Sequence, residues 1–333
     1  MLNVEKPKIQ VHSLICVVCL TVIISLLTGC AQKQQAVDLY VDAVIFKELD
    51  ENEKAIEKLN EATAMNENFS PAYSMLGRIY QEMKDYEKSA THYEKATQVN
   101  KWSFNDYFNL GRVYQIMKNF VKAVNAYARA CELEPDHRDA HLYAAQSYYE
   151  IKDFNSARLY GEKNKKIDPN SGDIQKVLGD IYEAQKDHEQ AIRSYKRSLE
   201  INGNDPNIMV SLAVAYLRTD RNEPAKELLS SVVKIQPDNN TAYKHLGYCF
   251  IKLKDVDKSI ENYSKAVKID QQDWDAHRGI GVAYILKGKA HTGSEEADAL
   301  EQKAVSHWQT SLEINPDQPN KDRLKKLIRH YSQ

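Results

Sequence analysis

Neither sign of charge prevails in this chain. Lysine and arginine number 45 against 47 aspartates and glutamates, a net charge of −2, so composition carries no footprint of nucleic acid or of an acidic substrate. Cysteine is scarce, with five residues, and Cys16, Cys19 and Cys30 all stand near the N-terminus. Cys131 and Cys249 lie far apart at apolar positions, which reads as two small buried side chains and not as a disulfide or a metal pair. Catalytic signatures are missing as well: the sequence has no P-loop, no G-x-S-x-G and no H-E-x-x-H. One long apolar run, Ser13 to Leu27, stands at the N-terminus; the rest is ordinary globular composition, 28% charged and 42% hydrophobic.

What the sequence has is internal repetition. In residues 104–137, Tyr107, Leu110, Gly111 and Tyr114 fall at i, i+3, i+4, i+7, and Ala123, Tyr127, Ala130 and Leu133 share a second helical face. The pattern predicts helices from about Asp106 to Met117 and from about Val121 to Glu134, with Pro135 ending the second. A glycine inside a helix costs about 1 kcal/mol relative to alanine and needs a packing reason. At Gly111 the expected reason is close approach of the second helix at Ala123. Steps of 34 residues from Tyr114 reach Phe46, Tyr80, Tyr148, Tyr182, Tyr216, Phe250 and Tyr284, all aromatic. The Gly111 position reads Ala43, Gly77, Gly111, Ala145, Gly179, Ala213, Gly247 and Gly281, small in every copy.

This period and its L-G-x-x-Y, A, Y, A, P spacing resemble the tetratricopeptide repeat. The resemblance covers residues 36–318 in eight copies: 36–69, 70–103, 104–137, 138–171, 172–205, 206–239, 240–273 and 274–318. The last carries an insertion near 288–299, where Thr292 and Glu295 read as a capping box and the second helix is expected from near Gly293. The implied fold is all-α, a right-handed α-solenoid of helix-turn-helix repeats closed by a capping helix over 319–333. Repeat 1, with Asp42 where other copies mostly have Leu or Ile, suits a terminal cap with a polar outer face. Repeat 4 has Gly161 where Tyr127 stands one copy earlier, which marks a soft joint or a tolerated weak repeat.

The register also disposes of two chemical hints. His137 and His141, beside Asp136 and Asp139, have ligand-like i, i+4 spacing, but His137 falls in an inter-repeat loop and His141 at a packing position. Gly279-Ile280-Gly281 lies inside a repeat helix with no strand before it, so it is no phosphate loop. No catalytic residue, metal or cofactor is expected, and the chain does not read as an enzyme.

The N-terminus reads as a secretory signal over residues 1–29, with Lys6 and Lys8 ahead of the apolar run. Leu27-Thr28-Gly29-Cys30 resembles a bacterial lipobox, which implies cleavage before Cys30 and acylation of that cysteine. Two or more acyl chains hold a protein stably on a bilayer. Residues 30–35 then form a lipidated cysteine and a short linker. The implied location is the cell envelope: the outer membrane facing the periplasm in a cell with two membranes, otherwise the outer face of the cytoplasmic membrane.

Family resemblance implies that the fifth, ninth and twelfth residues of each first helix line a concave groove. In repeats 2 to 4 these are Ser74, Arg78, Gln81, Phe108, Arg112, Gln115, Leu142, Gln146 and Tyr149, with a second basic cluster from Lys176, Lys244, Tyr248 and Arg278. Arginine beside aromatics suits a protein or peptide partner, through a carboxylate or a short segment. No asparagine stands at the ninth position, so the carboxylate clamp of chaperone-binding members is absent. The reading is a membrane-anchored interaction scaffold; lipoproteins of this kind serve outer-membrane protein insertion, pilus assembly or control of cell-wall hydrolases. The alternatives are a self-associating envelope protein using the solenoid ends, or an accessory subunit of a cell-wall or glycan-processing enzyme.

Overall fold

The computed structural model describes residues 31–289 and 293–332. Residues 1–29, read above as a signal, Cys30 and Thr292 lie outside them. Among the described residues the regular structure is helical, and the helices gather into two compact units that meet in sequence between Asp153 and Phe154. The first unit holds α1 (31–48), α2 (Asn52–Met65), α3 (Ser70–Glu82), α4 (Tyr86–Val99), α5 (Phe104–Ile116), α6 (Phe120–Leu133) and α7 (Arg138–Glu150). The second holds α8 (Phe154–Ile167), α9 (Gly172–Ala184), α10 (His188–Asn202), α11 (Pro206–Arg218), α12 (Asn222–Ile235), α13 (Asn240–Lys252) and α14 (Val256–Ile269). It ends with α15 (Trp274–Gly288), α16 (Glu295–Ile314) and α17 (Lys321–Tyr331). Within each unit consecutive helices pack on one another, the arrangement of an α-solenoid built from helical hairpins.

The glycines of the first helices have a sharper role than close approach to a methyl group. A Cβ on Gly111 would lie 2.7 Å from the Tyr127 ring, and one on Gly77 would lie 2.8 Å from the Tyr93 ring. Gly179 receives Tyr195, Gly247 receives Tyr263 and Gly281 receives Trp308 in the same way. These rings are almost completely buried. Where the first helix carries alanine instead, the second carries a smaller side chain at the ring's position: Leu59 with Ala43, Leu229 with Ala213. In repeat 4 the ring position itself is Gly161, and the space is taken by Leu178 of the next repeat, whose Cδ2 would lie 2.7 Å from an added Cβ. The hairpin is tied further by Ser89 Oγ, which donates to the Gly77 carbonyl at 2.7 Å, and by Ser259 Oγ, which donates to the Gly247 carbonyl at 2.8 Å.

The turn inside each hairpin is a second repeated device. Asp50, Lys84, Lys118, Lys152, Lys186, Asp220 and Lys254, 34 residues apart, all have φ between 55° and 64°, the left-handed region. The next residue closes the turn: Asn119 N–H donates to the Tyr114 carbonyl at 2.8 Å, and the Asn119 side chain accepts from Lys122 N–H to start α6. α5 begins two residues before the expected Asp106 because Ser103 Oγ caps it by accepting from Asp106 N–H.

Three expectations are revised. Residues 31–35, expected as a linker, are helical and continue into the rest of α1. α16 starts at Glu295, with Ser294 Oγ accepting from Ala297 N–H at 3.2 Å, in place of a start near Gly293. The outer face of the first repeat is not polar: Val37, Val41, Ile45 and Leu49 are all exposed on it. At the other end Leu324 of α17 packs with Trp308 and Ile285, leaving Arg323, Lys325, Lys326 and Arg329 outward.

Gly111→Ala is expected to lower stability by about 1–2 kcal/mol, because overpacking against Tyr127 exceeds the gain in helix propensity. Lys118→Gly is expected to raise it by about 1 kcal/mol by relieving a left-handed lysine. Urea-denaturation midpoints of the two variants check both signs.

Candidate functional site

In the first unit, stacking of the hairpins aligns the outward positions of α3, α5 and α7. Phe108 is half-buried in an aromatic cluster, its centroid 5.5 Å from Phe104, 5.9 Å from Tyr143 and 5.2 Å from His137. Tyr127 Oη donates to Gln115 Oε1 at 2.8 Å, and Gln115 Nε2 donates to Gln146 Oε1 at 3.4 Å. Phe108 and Gln146 are thus engaged within the fold, and Tyr149 is half-buried on α7. Arg78 and Arg112 differ: both are exposed, and neither has a salt-bridge partner among the described residues. Both act on the Tyr93 phenol, which burial pushes up, Asp106 pushes further and the two guanidinium groups pull back. Arg78 lines a cavity of about 460 Å³ with Ser74, Asn105, Asp106 and Asn109. A cation, a buried carboxylate and two amides can satisfy the donors and acceptors of a peptide main chain. Sequence reasoning missed Asn105 and Asn109, although their i, i+4 spacing beside Phe108 places them on one face.

In the second unit Lys244 and Tyr248 on α13 and Arg278 on α15 line one cavity of about 430 Å³, together with Arg218 and His245. Leu217, Ile251 and Val282 give it an apolar floor. Its cations are tethered. Lys244 Nζ lies 3.1 Å from Asp273 Oδ2 and 3.9 Å from Asp275 Oδ2, and Arg278 pairs with Asp275 while lying over the Trp274 ring. Asp273 also caps α15, accepting from the N–H groups of Asp275 and Ala276. The helix start therefore orients the carboxylate that orients the lysine. Arg218 has only a long contact, 3.9 Å, with Glu183. Among the residues lining the cavity Arg218, Lys244 and Arg278 are cationic and Asp275 is acidic, so its wall carries a positive excess beside an exposed Tyr248. Burial lowers His245 to about 4, with Lys244 lowering it further, so its ring is neutral at physiological pH. Lys176 pairs with Asp180 at 2.7 Å and does not line this cavity.

The other titratable groups serve structure. His137 Nδ1 accepts from Ala140 N–H at the start of α7, and His141 Nε2 lies 2.8 Å from the Pro135 carbonyl. Cys131 and Cys249 are buried in different repeats; burial pushes the Cys249 thiol up to about 12. Gly279 makes room for the Tyr263 ring and Gly281 for Trp308. Between α15 and α16 the Nδ1 atoms of His277 and His307 lie 3.0 Å apart, with one ring donating to the other. Burial, and then His277, lower His307 to about 4. Among the described residues no three His, Cys, Asp or Glu side chains are grouped to hold a metal ion, and no helix is long and apolar enough to cross a membrane.

Hairpins repeating every 34 residues, with a ring seated on a first-helix glycine and cavities between successive first helices, define an α-helical repeat protein. The chain belongs to the tetratricopeptide repeat family: models described as "Tetratricopeptide repeat" match residues 70–101, 104–137 and 182–247, and one described as "TPR repeat" matches residues 247–288. Among curated proteins no sequence matches. Among solved structures, it is similar to YrrB, "a TPR protein with an unusual peptide-binding site". That match has 16% identity and TM-score 0.50, covering 63% of this chain and 99% of that one. Pseudomonas aeruginosa pilF matches at 17% identity and TM-score 0.52 over 62% of this chain and 94% of that one. A tetratricopeptide repeat protein of Parabacteroides merdae matches at 14% identity and TM-score 0.50 over 75% and 99%. At these identities the likeness is one of fold.

Burial depresses three histidines, His92, His245 and His307, and the latter two, lowered to about 4, set a pH response. Above about pH 6.5 they are neutral folded or unfolded; as pH falls towards 4 the unfolded chain takes up protons that the fold refuses, and stability is lost. The denaturation midpoint is expected to fall between about pH 7 and about pH 5, and to fall less in His245→Gln/His307→Gln. Parallel slopes in the two proteins would refute this.

Proposed function

We propose that this chain is a membrane-anchored interaction scaffold that binds a protein or peptide segment through the cavities of its first helices. The observation that carries the reading is the convergence of Arg218, Lys244, Tyr248 and Arg278 on one cavity with an apolar floor. A cavity with excess positive charge, an exposed tyrosine and aliphatic side chains fits a segment that pairs a carboxylate with an apolar side chain. The polar cavity of the first unit, with Arg78 and Asp106, suits the main chain of a bound segment. Membership of the tetratricopeptide repeat family and the peptide-binding site of the similarly folded YrrB support binding as the task.

The anchor is the acylated Cys30 read from Leu27-Thr28-Gly29-Cys30. It would hold the scaffold at the cell envelope, facing the periplasm from the outer membrane in a cell with two membranes, or on the outer face of the cytoplasmic membrane in a cell with one. The scaffold would work there in envelope, secretion or pilus assembly. Because residue 31 already lies in α1, the first repeat would follow the lipidated residue directly.

Crosslinking and capture of the full-length protein from native membranes tests this. A partner retained by the native chain is expected to be lost by about tenfold in Arg218→Ala/Tyr248→Ala, whose side chains leave the core intact. A smaller loss is expected in Arg78→Ala/Arg112→Ala. Equal recovery by all three proteins would remove the cavities from the function.

A further inference from the structure

Position 10 of each first helix faces the repeat before it. Ile79 is buried with α1 and α2 side chains, and Cys249 donates its thiol hydrogen to the Asn222 carbonyl of the preceding repeat. At this position Ile79, Val113, Ile181, Ala215, Cys249 and Ala283 are fully buried. In the first repeat the same position is Ile45, which is 53% exposed, and position 6 is Val41, which is 51% exposed. With Val37 and Leu49 they form an i, i+4, i+8, i+12 stripe along α1. At position 10 the apolar side chain that a preceding repeat covers elsewhere is open here, and Val37, Val41 and Leu49 extend it into an exposed apolar stripe.

Charge selects the occupant. Asp38, Asp42 and Glu48 are exposed beside the stripe and Lys33 is exposed one turn before it, so the face carries a net negative charge. A two-fold packing of α1 on a second α1 would set Asp38 and Asp42 against their own copies, and an anionic lipid surface would meet the same acids. The face needs a basic helix. α17, at the other end of the chain, is one: Arg323, Lys326 and Arg329 are exposed and have no salt-bridge partner among the described residues. Arginine and lysine stems can cover the aliphatic stripe while their heads reach the flanking carboxylates.

We propose that copies of this protein associate head to tail, the basic face of α17 from one copy lying along the apolar, acid-flanked face of α1 of the next. Such a contact is heterologous and leaves a free head and a free tail, so it propagates with concentration. It continues between molecules the covering of each first helix by the repeat before it.

The test is cysteine crosslinking of full-length chains in native membranes, with two differently tagged chains co-expressed and the unsubstituted chain setting the background. Val41→Cys on one chain and Lys326→Cys on the other are expected to give a mixed adduct carrying both tags, at least about fivefold above either variant alone. Asp38→Lys/Asp42→Lys on the first chain is expected to abolish the adduct, and Arg323→Glu/Arg329→Glu on the second to restore it. Val41→Cys chains that crosslink to one another as well as to Lys326→Cys chains would overturn the proposal in favour of a two-fold contact. Adducts only with another protein, or none above background, would overturn it as well.

Discussion

The structure depends on an aromatic ring lying flat on a glycine. A first helix with glycine at position 8 accepts Tyr or Trp from the second helix of the same hairpin, and the ring fills the space that a Cβ would occupy. The exchange of volume holds in seven of the eight repeats, glycine with a ring and alanine with leucine; in repeat 4, with Ala145 and Gly161, Leu178 of the next repeat takes the space. Each hairpin therefore has one separation at which its second helix neither clashes nor leaves a void, and close-packed interiors punish both errors. Helix propensity is sacrificed at position 8 for that fit.

Once the hairpins have a fixed separation, stacking determines what faces outward. Repeating first helices bring Lys244 and Tyr248 beside Arg278, one repeat later, at a cavity whose floor is the apolar edge of α11, α13 and α15. The carboxylates there do two jobs, since Asp273 starts α15 and holds Lys244 in place. The charge and shape of the cavities are thus by-products of capping and register, which explains how one fold can present different cavities in its two units. The same stacking rule makes α1 unusual, as Ile45 is exposed at the position that is buried in the other repeats.

The fold was legible because its signal is periodic: eight aromatic residues at one spacing and eight small ones at another outweigh irregularities in any copy. The convergence of Lys244, Tyr248 and Arg278 was legible from the same register. Their acidic partners were not, because Asp273 is the N-cap of α15 and Asp275 lies in its first turn, where the helical period of the packed face says little about which cation each carboxylate meets. The left-handed Lys-Asp and Lys-Asn turns escaped notice for another reason. Lysine is an unexpected residue at positive φ, and only the recurrence of Lys84, Lys118, Lys152, Lys186 and Lys254 at one position could have exposed it. Asp42 misled the reading of repeat 1: one acid suggested a polar end face, while Val37, Val41 and Ile45 make that face apolar.

A double-mutant cycle on repeat 2 addresses the ring-on-glycine constraint most directly, using Gly77→Ala, Tyr93→Leu and the two together, with chemical denaturation as the readout. The combined variant reproduces the alanine–leucine pairing of repeats 1 and 6, so it should recover about 1 kcal/mol or more of the summed single losses. Additive losses would mean that glycine and ring do not act on each other, and that some other contact sets the separation of the helices.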